Sequence, residues 1–281
     1  MGTPLIFLHV PKTGGTTFHS MLTFQYLGRP SIRLRPWLHT DNVYDRRRAR
    51  ELDELDDSVK RKLQLVRGHA YYGVHEKMPQ ACTYFTFVRD PISHVRSQYY
   101  YFKVKPHENR DATIWDKTSL ESILADEGNP WLDNMQVRWI SGVGLGKETI
   151  GEDEYRLAQR NVENHFSVLG VTDQFDLSVA LLAKKLNWRR PLFYRRANVQ
   201  NFNEGSRKSV AEMPTELIKE TNTWDLRLYK WGKKRLEREV SSDVEREVKN
   251  MKSNNVVLGP AVQAVRKVRS VYRQAIKPYI S

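Results

Sequence analysis

The segment Leu8-His-Val-Pro-Lys-Thr-Gly-Gly-Thr-Thr-Phe18 holds the densest chemistry in the chain. Leu5 to Val10 is an apolar run ending at Pro11, the pattern of a buried strand, and Phe18 to Leu27 has helical apolar spacing. A strand that passes through a turn of small residues into a helix aims backbone N–H groups and the positive helix end at one point. That point suits a phosphate or a sulfate. Gly14 and Gly15 allow close backbone approach, Thr13, Thr16 and Thr17 add hydroxyl donors, and Lys12 adds a formal charge. The pattern is not the Gly-x-x-x-x-Gly-Lys-[Ser/Thr] nucleotide loop, because Lys12 precedes the glycines. Gly142-Val-Gly-Leu-Gly-Lys147 imitates that loop, yet Ser141 replaces its first glycine and Glu148 its hydroxyl residue. It reads as a decoy.

A second anchor is Val88-Arg-Asp-Pro-Ile-Ser-His-Val-Arg-Ser-Gln-Tyr-Tyr-Tyr-Phe102. Arg89 stands at the carboxyl end of an expected strand, where ligands bind in open α/β sheets, and Ser97 follows about two helical turns on. A planar guanidinium and a hydroxyl so placed could hold a second phosphate; an Arg89–Asp90 pair is the plainer alternative. For a general base, His69 follows a short strand, Gln64 to Val66, that ends at the same sheet edge. A histidine's ordinary pKa of ~6.5 suits proton abstraction near neutrality. His75 and Glu76 are rivals, while His9 and His94 read as packing residues.

These groups need a scaffold, and the pattern supplies one. Cys82 to Val88 and Phe166 to Val171 read as further strands, Ile92 to Phe102 and Ser178 to Leu186 as helices. Residues 46–63 read as a solvated helix with Leu52, Leu55, Val59 and Leu63 as its apolar stripe. Strands alternating with helices over the first 190 residues predict an α/β fold with a mostly parallel sheet; the last third reads as helical. The expected division is a catalytic domain over 1–255 and a basic amphipathic tail over 256–281.

Composition narrows the class. The 281 residues carry 46 Lys plus Arg against 33 Asp plus Glu, a formal +13, which asks for an anionic partner. A single cysteine, Cys82, excludes an internal disulfide and a multi-cysteine zinc site. No apolar run is long enough to span a bilayer, and the start lacks a signal-peptide pattern. With the first strand only a few residues from Met1, a cytoplasmic enzyme is expected, with a trimmed lumenal domain as the alternative.

Pro11-Lys-Thr-Gly-Gly-Thr-Thr17 resembles the 5′-phosphosulfate loop of the sulfotransferases, and Val88-Arg-Asp-Pro through Ser97 resembles their 3′-phosphate motif. The likeness is nearest to carbohydrate sulfotransferases of the heparan sulfate 2-O-sulfotransferase type. Arg67-Gly-His-Ala-Tyr-Tyr-Gly73 and Val168-Leu-Gly-Val-Thr-Asp-Gln-Phe-Asp-Leu177 add weaker matches, and together the pieces cover roughly residues 4–190. The resemblance implies a P-loop-like three-layer α/β/α fold and the donor 3′-phosphoadenosine 5′-phosphosulfate, with adenosine 3′,5′-bisphosphate as product and no metal. It puts Lys12 on the leaving phosphate, Thr13 to Thr17 on the 5′-phosphate, and Arg89 and Ser97 on the 3′-phosphate. It makes His69 the base. Related enzymes close a basic loop over the donor, which suggests Arg207 and Lys208, with a solvated loop as the alternative.

The acceptor implied is a glycan hydroxyl. Arg29, Arg33, Arg35 and Arg46 to Arg48 could hold an acidic glycan or simply form a solvated face. Trp37, Trp115, Trp131 and Trp139 could stack on sugars, although packing suits most of them better. From Gly259 onward, five basic residues and an apolar stripe predict a helix that docks on protein or lies on anionic membrane. Two other classes stay open at this point. An ATP-dependent phosphotransferase lacks the Walker lysine position and an evident magnesium carboxylate. A nucleic-acid binder would explain the charge, but no recognised nucleic-acid motif is present.

Overall fold

The computed structural model describes residues 3–34, 49–104, 120–125, 129–147, 149–195 and 214–275. Five parallel strands form the sheet: β1 (Leu5–Leu8), β2 (Ser31–Leu34), β3 (Leu65–Gly68), β4 (Thr83–Val88) and β5 (Phe166–Val171). Their spatial order is β2-β3-β1-β4-β5, with every neighbouring pair parallel. The central strands β1 and β4 are covered on both faces, which is why they read as unbroken apolar runs in the sequence.

The helices are α1 (Gly15–Gln25), α2 (Arg50–Asp53), α3 (Asp57–Lys60), α4 (Pro91–Val104) and α5 (Leu120–Ala125). They continue with α6 (Met135–Ser141), α7 (Glu152–His165), α8 (Phe175–Lys185), α9 (Thr215–Thr221), α10 (Thr223–Glu239) and α11 (Ser242–Ala275). On one face, Phe18 of α1 and Phe175 of α8 pack on Phe85 and Phe87 of β4. On the other, α10 comes so close that a Cβ at Gly232 would stand 2.8 Å from Leu169 of β5. The result is a three-layer α/β/α fold, as expected. Beside it, Val95, Tyr99 and Phe102 of α4 join Ile123 and Ile218 in a smaller core.

Several elements differ from the sequence expectation. Strand β2 was not anticipated, because an edge strand of four residues with Ser31 and Arg33 exposed shows no apolar run. Strand β3 extends two residues beyond the expected Val66, since β1 and β2 pair with it from both sides. The charged helix expected over 46–63 is two short helices, with Asp56 extended at φ −64, ψ 150 between them. Leu52 is buried, whereas Val59 is exposed, so the apolar stripe is not continuous. The polar stretch 197–209 lies outside the described residues. The same holds for the side chains of the tail from Gly259 on; its backbone continues α11 to Ala275, and position 255 falls inside that helix.

Candidate functional site

The carboxyl ends of β1, β3, β4 and β5 all open on one edge of the sheet, where a parallel α/β fold binds ligands. Lys12 leaves β1 there, His69 leaves β3 and Arg89 leaves β4. In this order the connection after β1 runs toward β2 and that after β4 toward β5, so the crevice opens between them.

Residues 10–13 connect β1 to α1 by an unusual means. Four successive carbonyl oxygens each accept a hydrogen bond from a side chain. The Thr13 hydroxyl donates to Val10 O at 2.8 Å, His94 Nε2 to Pro11 O at 2.9 Å, and an Arg89 guanidinium nitrogen to Lys12 O at 2.9 Å. The Thr172 hydroxyl lies 2.9 Å from Thr13 O and 3.1 Å from Val88 O, sharing its proton between the loop and β4. Because each peptide is planar and trans, fixing its C=O on the scaffold side turns its N–H the other way. Lys12 (φ 62) and Gly14 (φ 89) occupy the left-handed region that this turn demands. Helix α1 then begins at Gly15 with no side-chain cap and no acidic residue in its first turn. An uncapped positive helix end beside a row of outward N–H groups is an anion cradle, and it fits a phosphate or sulfate.

The cations around the cradle are positioned by identifiable contacts. Lys12 Nζ sits 4.4 Å above the Tyr101 ring. His94, Ser97 and Tyr101 recur at i, i+3 and i+7 along α4, so Ser97 shares the face of that helix turned to the loop. Asp90 accepts from Ser93 N at 2.9 Å and Pro91 takes the first helical position, which explains why α4 starts where it does. Arg89 is held at its backbone by Gln136, which accepts from Arg89 N at 2.7 Å and donates to Arg89 O at 3.0 Å. Gln136 is held in turn by Asp225 at 3.1 Å, and Asp225 also accepts from the backbone N–H groups of Gln136 and Val137. Burial pushes the Asp225 carboxyl up to about 7 against those donors, and burial pulls the Arg89 guanidinium down.

His69 Nδ1 lies 2.9 Å from His9 O. A carbonyl can only accept, so Nδ1 carries the proton and the neutral ring has its lone pair on Nε2. The His9 ring stacks on His69 at 4.1 Å and its Nδ1 meets His19 Nε2 at 3.2 Å. A Cβ at Gly15 would stand 2.0 Å from the His9 ring, so only glycine permits the histidine stack to lie against the start of α1. The rivals lie elsewhere. His75 is bonded to Tyr84 and packed on His165, beside the amino ends of β4 and β5, and Glu76 is on the same turn.

Other sequence candidates are placed as follows. Thr13 is buried with its hydroxyl on Val10 O, Thr17 is buried, and Thr16 is exposed. Arg207 and Lys208 lie outside the described residues, as do Trp37 and Trp115. Trp139 is buried and Trp131 packs on Phe102. Gly142 and Gly144 follow a helix rather than a strand and pack on Tyr72 and Tyr71, so the Walker-like segment is a packing turn. Thr172 falls in the Val168 to Leu177 segment that carries one of the weaker motif matches; Gln136 and Asp225 have no sequence signal, because they act through distant backbone.

The buried histidines make the site acid-sensitive. Burial lowers His94 to about 4 and His19 to about 3, and it lowers His9 well below its ordinary value. A depressed folded pKa means the unfolded chain takes up protons first, so their contribution is complete above about pH 6.5 and declines as the pH falls toward 4. Melting temperature should drop over that window in the native protein. His94→Gln, which can still donate to Pro11 O, should drop less steeply in a thermal scan at stepped pH.

A family model described as galactose-3-O-sulfotransferase matches residues 2–279. The chain belongs to that family. It is 28% identical over 210 residues to galactose-3-O-sulfotransferase 2 of Sus scrofa, covering 66% of this chain and 49% of the relative. The protein of the same name from Homo sapiens is 26% identical over 196 residues, covering 62% and 46%. The chain therefore spans about half the length of the curated relatives it matches. The likeness to carbohydrate sulfotransferases stands, with the galactose-3-O family in place of the 2-O type named from the motifs. The cytoplasmic expectation is overturned: this family points to the Golgi lumen. Among the described residues no helix is long and apolar enough to cross a membrane, and the distance of β1 from Met1 says nothing about an anchor.

Proposed function

We propose that this galactose-3-O-sulfotransferase family member transfers a sulfuryl group from 3′-phosphoadenosine 5′-phosphosulfate to a glycan hydroxyl. The names of its relatives put the 3-hydroxyl of galactose first among acceptors. The observation that carries the reading is the set of four side-chain-held carbonyls behind Lys12, which preorganises an anion cradle one strand away from a histidine whose basic nitrogen is Nε2.

Each residue then has a task. Residues 13–17 and the α1 dipole bind the 5′-phosphate, through N–H groups other than that of Thr17, which donates to Gly14 O, while Arg89 and Ser97 bind the 3′-phosphate. His69 Nε2 takes the proton of the acceptor hydroxyl as its oxygen forms the new O–S bond. The bond from sulfur to the bridging oxygen breaks, and its electron pair stays on the 5′-phosphate, where Lys12 stabilises the charge. The donor supplies an activated sulfuryl group, and the chain supplies orientation, charge and a base.

The test is mass spectrometry of galactose-terminated oligosaccharides incubated with protein and donor, read for the sulfate mass increment; no increment on any of them rejects the reading. Calorimetry with adenosine 3′,5′-bisphosphate checks the donor site separately. Arg89→Ala should weaken that binding at least about tenfold, since it removes a charge-assisted bond and releases Lys12 O. Unchanged affinity would remove Arg89 from the donor site.

A further inference from the structure

Across the carboxyl edge of the sheet, the strand order sets four basic side chains in a row: Arg33 from β2, His69 after β3, Lys12 after β1 and Arg89 after β4. The donor reading uses Lys12 and Arg89. Arg33 lies on the opposite side of His69 and that reading leaves it without a task.

Arg33 pairs in register with Arg67, and Arg67 with Phe7, so these side chains share a sheet face. His69 and His9, two residues farther along β3 and β1, stack on each other on that same face. Arg67 is committed internally, donating to His19 O at 2.9 Å and to the Thr23 hydroxyl at 2.8 Å. Arg33 is exposed. Among the described residues, Arg67 of β3, His9 of β1 and His19 of α1 feel its charge, and all three are basic. Among the described residues no carboxylate forms an ion pair with Arg33 or Arg67. Two guanidinium groups opposite each other on adjacent strands repel, and nothing described offsets them.

We propose that Arg33 is an acceptor-side anion subsite, binding a carboxylate or sulfate that the acceptor glycan carries beside the hydroxyl presented to His69. This rests on the sulfotransferase reading above. With strands ~4.8 Å apart and a rise of ~3.3 Å per residue, the Cα atoms of Arg33 and His69 are roughly 8 Å apart. An extended arginine and a single sugar ring bridge that gap. The planar fork of arginine matches both oxyanions, and an acceptor approaching over β2 does not compete with the donor over β4. Part of the +13 surplus thereby gains a defined partner.

The test is steady-state kinetics with three matched oligosaccharides: a neutral one, one bearing a carboxylate on the sugar next to the accepting galactose, and one bearing a sulfate there. Arg33→Gln should raise KM for the charged acceptors about tenfold, with kcat, donor KM and the neutral acceptor's KM unchanged. Arg33→Lys should recover part of the loss. The charged acceptor with the larger shift identifies the group bound. If the native protein treats all three alike, or Arg33→Gln raises KM equally for all, the subsite is refuted while the sulfotransferase reading survives. If none of the three is sulfated, both fall together.

Discussion

His69→Ala should reduce kcat by about 10²–10⁴ and leave the affinity for adenosine 3′,5′-bisphosphate unchanged. The split follows from where the residue is attached. His69 reaches the site from β3 and is fixed by the His9 carbonyl and the stacked His9 ring. The anion-cradle loop after β1 is fixed from the other side, by His94, Arg89 and Thr172. Truncating the base therefore removes the proton acceptor and leaves the cradle. Single-turnover rates alongside calorimetry measure the two halves. A variant with near-native kcat would reject His69 as the base. His75 could not simply inherit the role, because its contacts with Tyr84 and His165 hold it at the amino ends of the strands.

Lys12→Ala should damage both quantities, weakening product binding about tenfold and lowering kcat by about 10²–10³. Removing a charge that bound the ground state and the transition state equally would raise KM alone. One that faces an oxygen gaining charge as the S–O bond breaks contributes most in the transition state. Lys12→Met separates charge from packing, since its stem can still cover the Tyr101 ring that Lys12 Nζ now faces at 4.4 Å. Equal losses in the two variants assign the effect to the ammonium. A Lys12→Met variant with native kcat would assign stabilisation of the leaving phosphate to Arg89 and the backbone N–H groups instead.

The anion-binding turn was legible in the sequence because it is local. A strand, a turn with Gly14 and Gly15, and a helix follow one another without interruption, so spacing alone marks where the turn lies. Arg89 was legible for the same reason, at the join between β4 and α4. What the sequence misjudged was short or marginal. Edge strand β2 lacks an apolar run, and the 46–63 segment keeps a helical pattern of leucines through the extended residue at Asp56. Acceptor recognition was the least legible part, because a basic residue on a surface looks the same whether it is solvated or aimed at a ligand.

By itself, then, the sequence determined the chemistry available: an anion-binding turn, a strand-end arginine, a histidine after a strand, and an unbalanced positive charge. Only the tertiary structure decided how these are ordered. Strand order depends on pairing between segments tens of residues apart, which no local pattern encodes, and it alone sets Arg33, His69, Lys12 and Arg89 in that sequence along one edge. The same holds for the donors behind the loop. Four carbonyls between Val10 and Thr13 are satisfied partly from α4, β4 and the end of β5, residues up to 159 positions away. Buried backbone oxygens must find hydrogen bonds wherever the fold brings donors to them, and that requirement is what turns a glycine-rich turn into a rigid cradle.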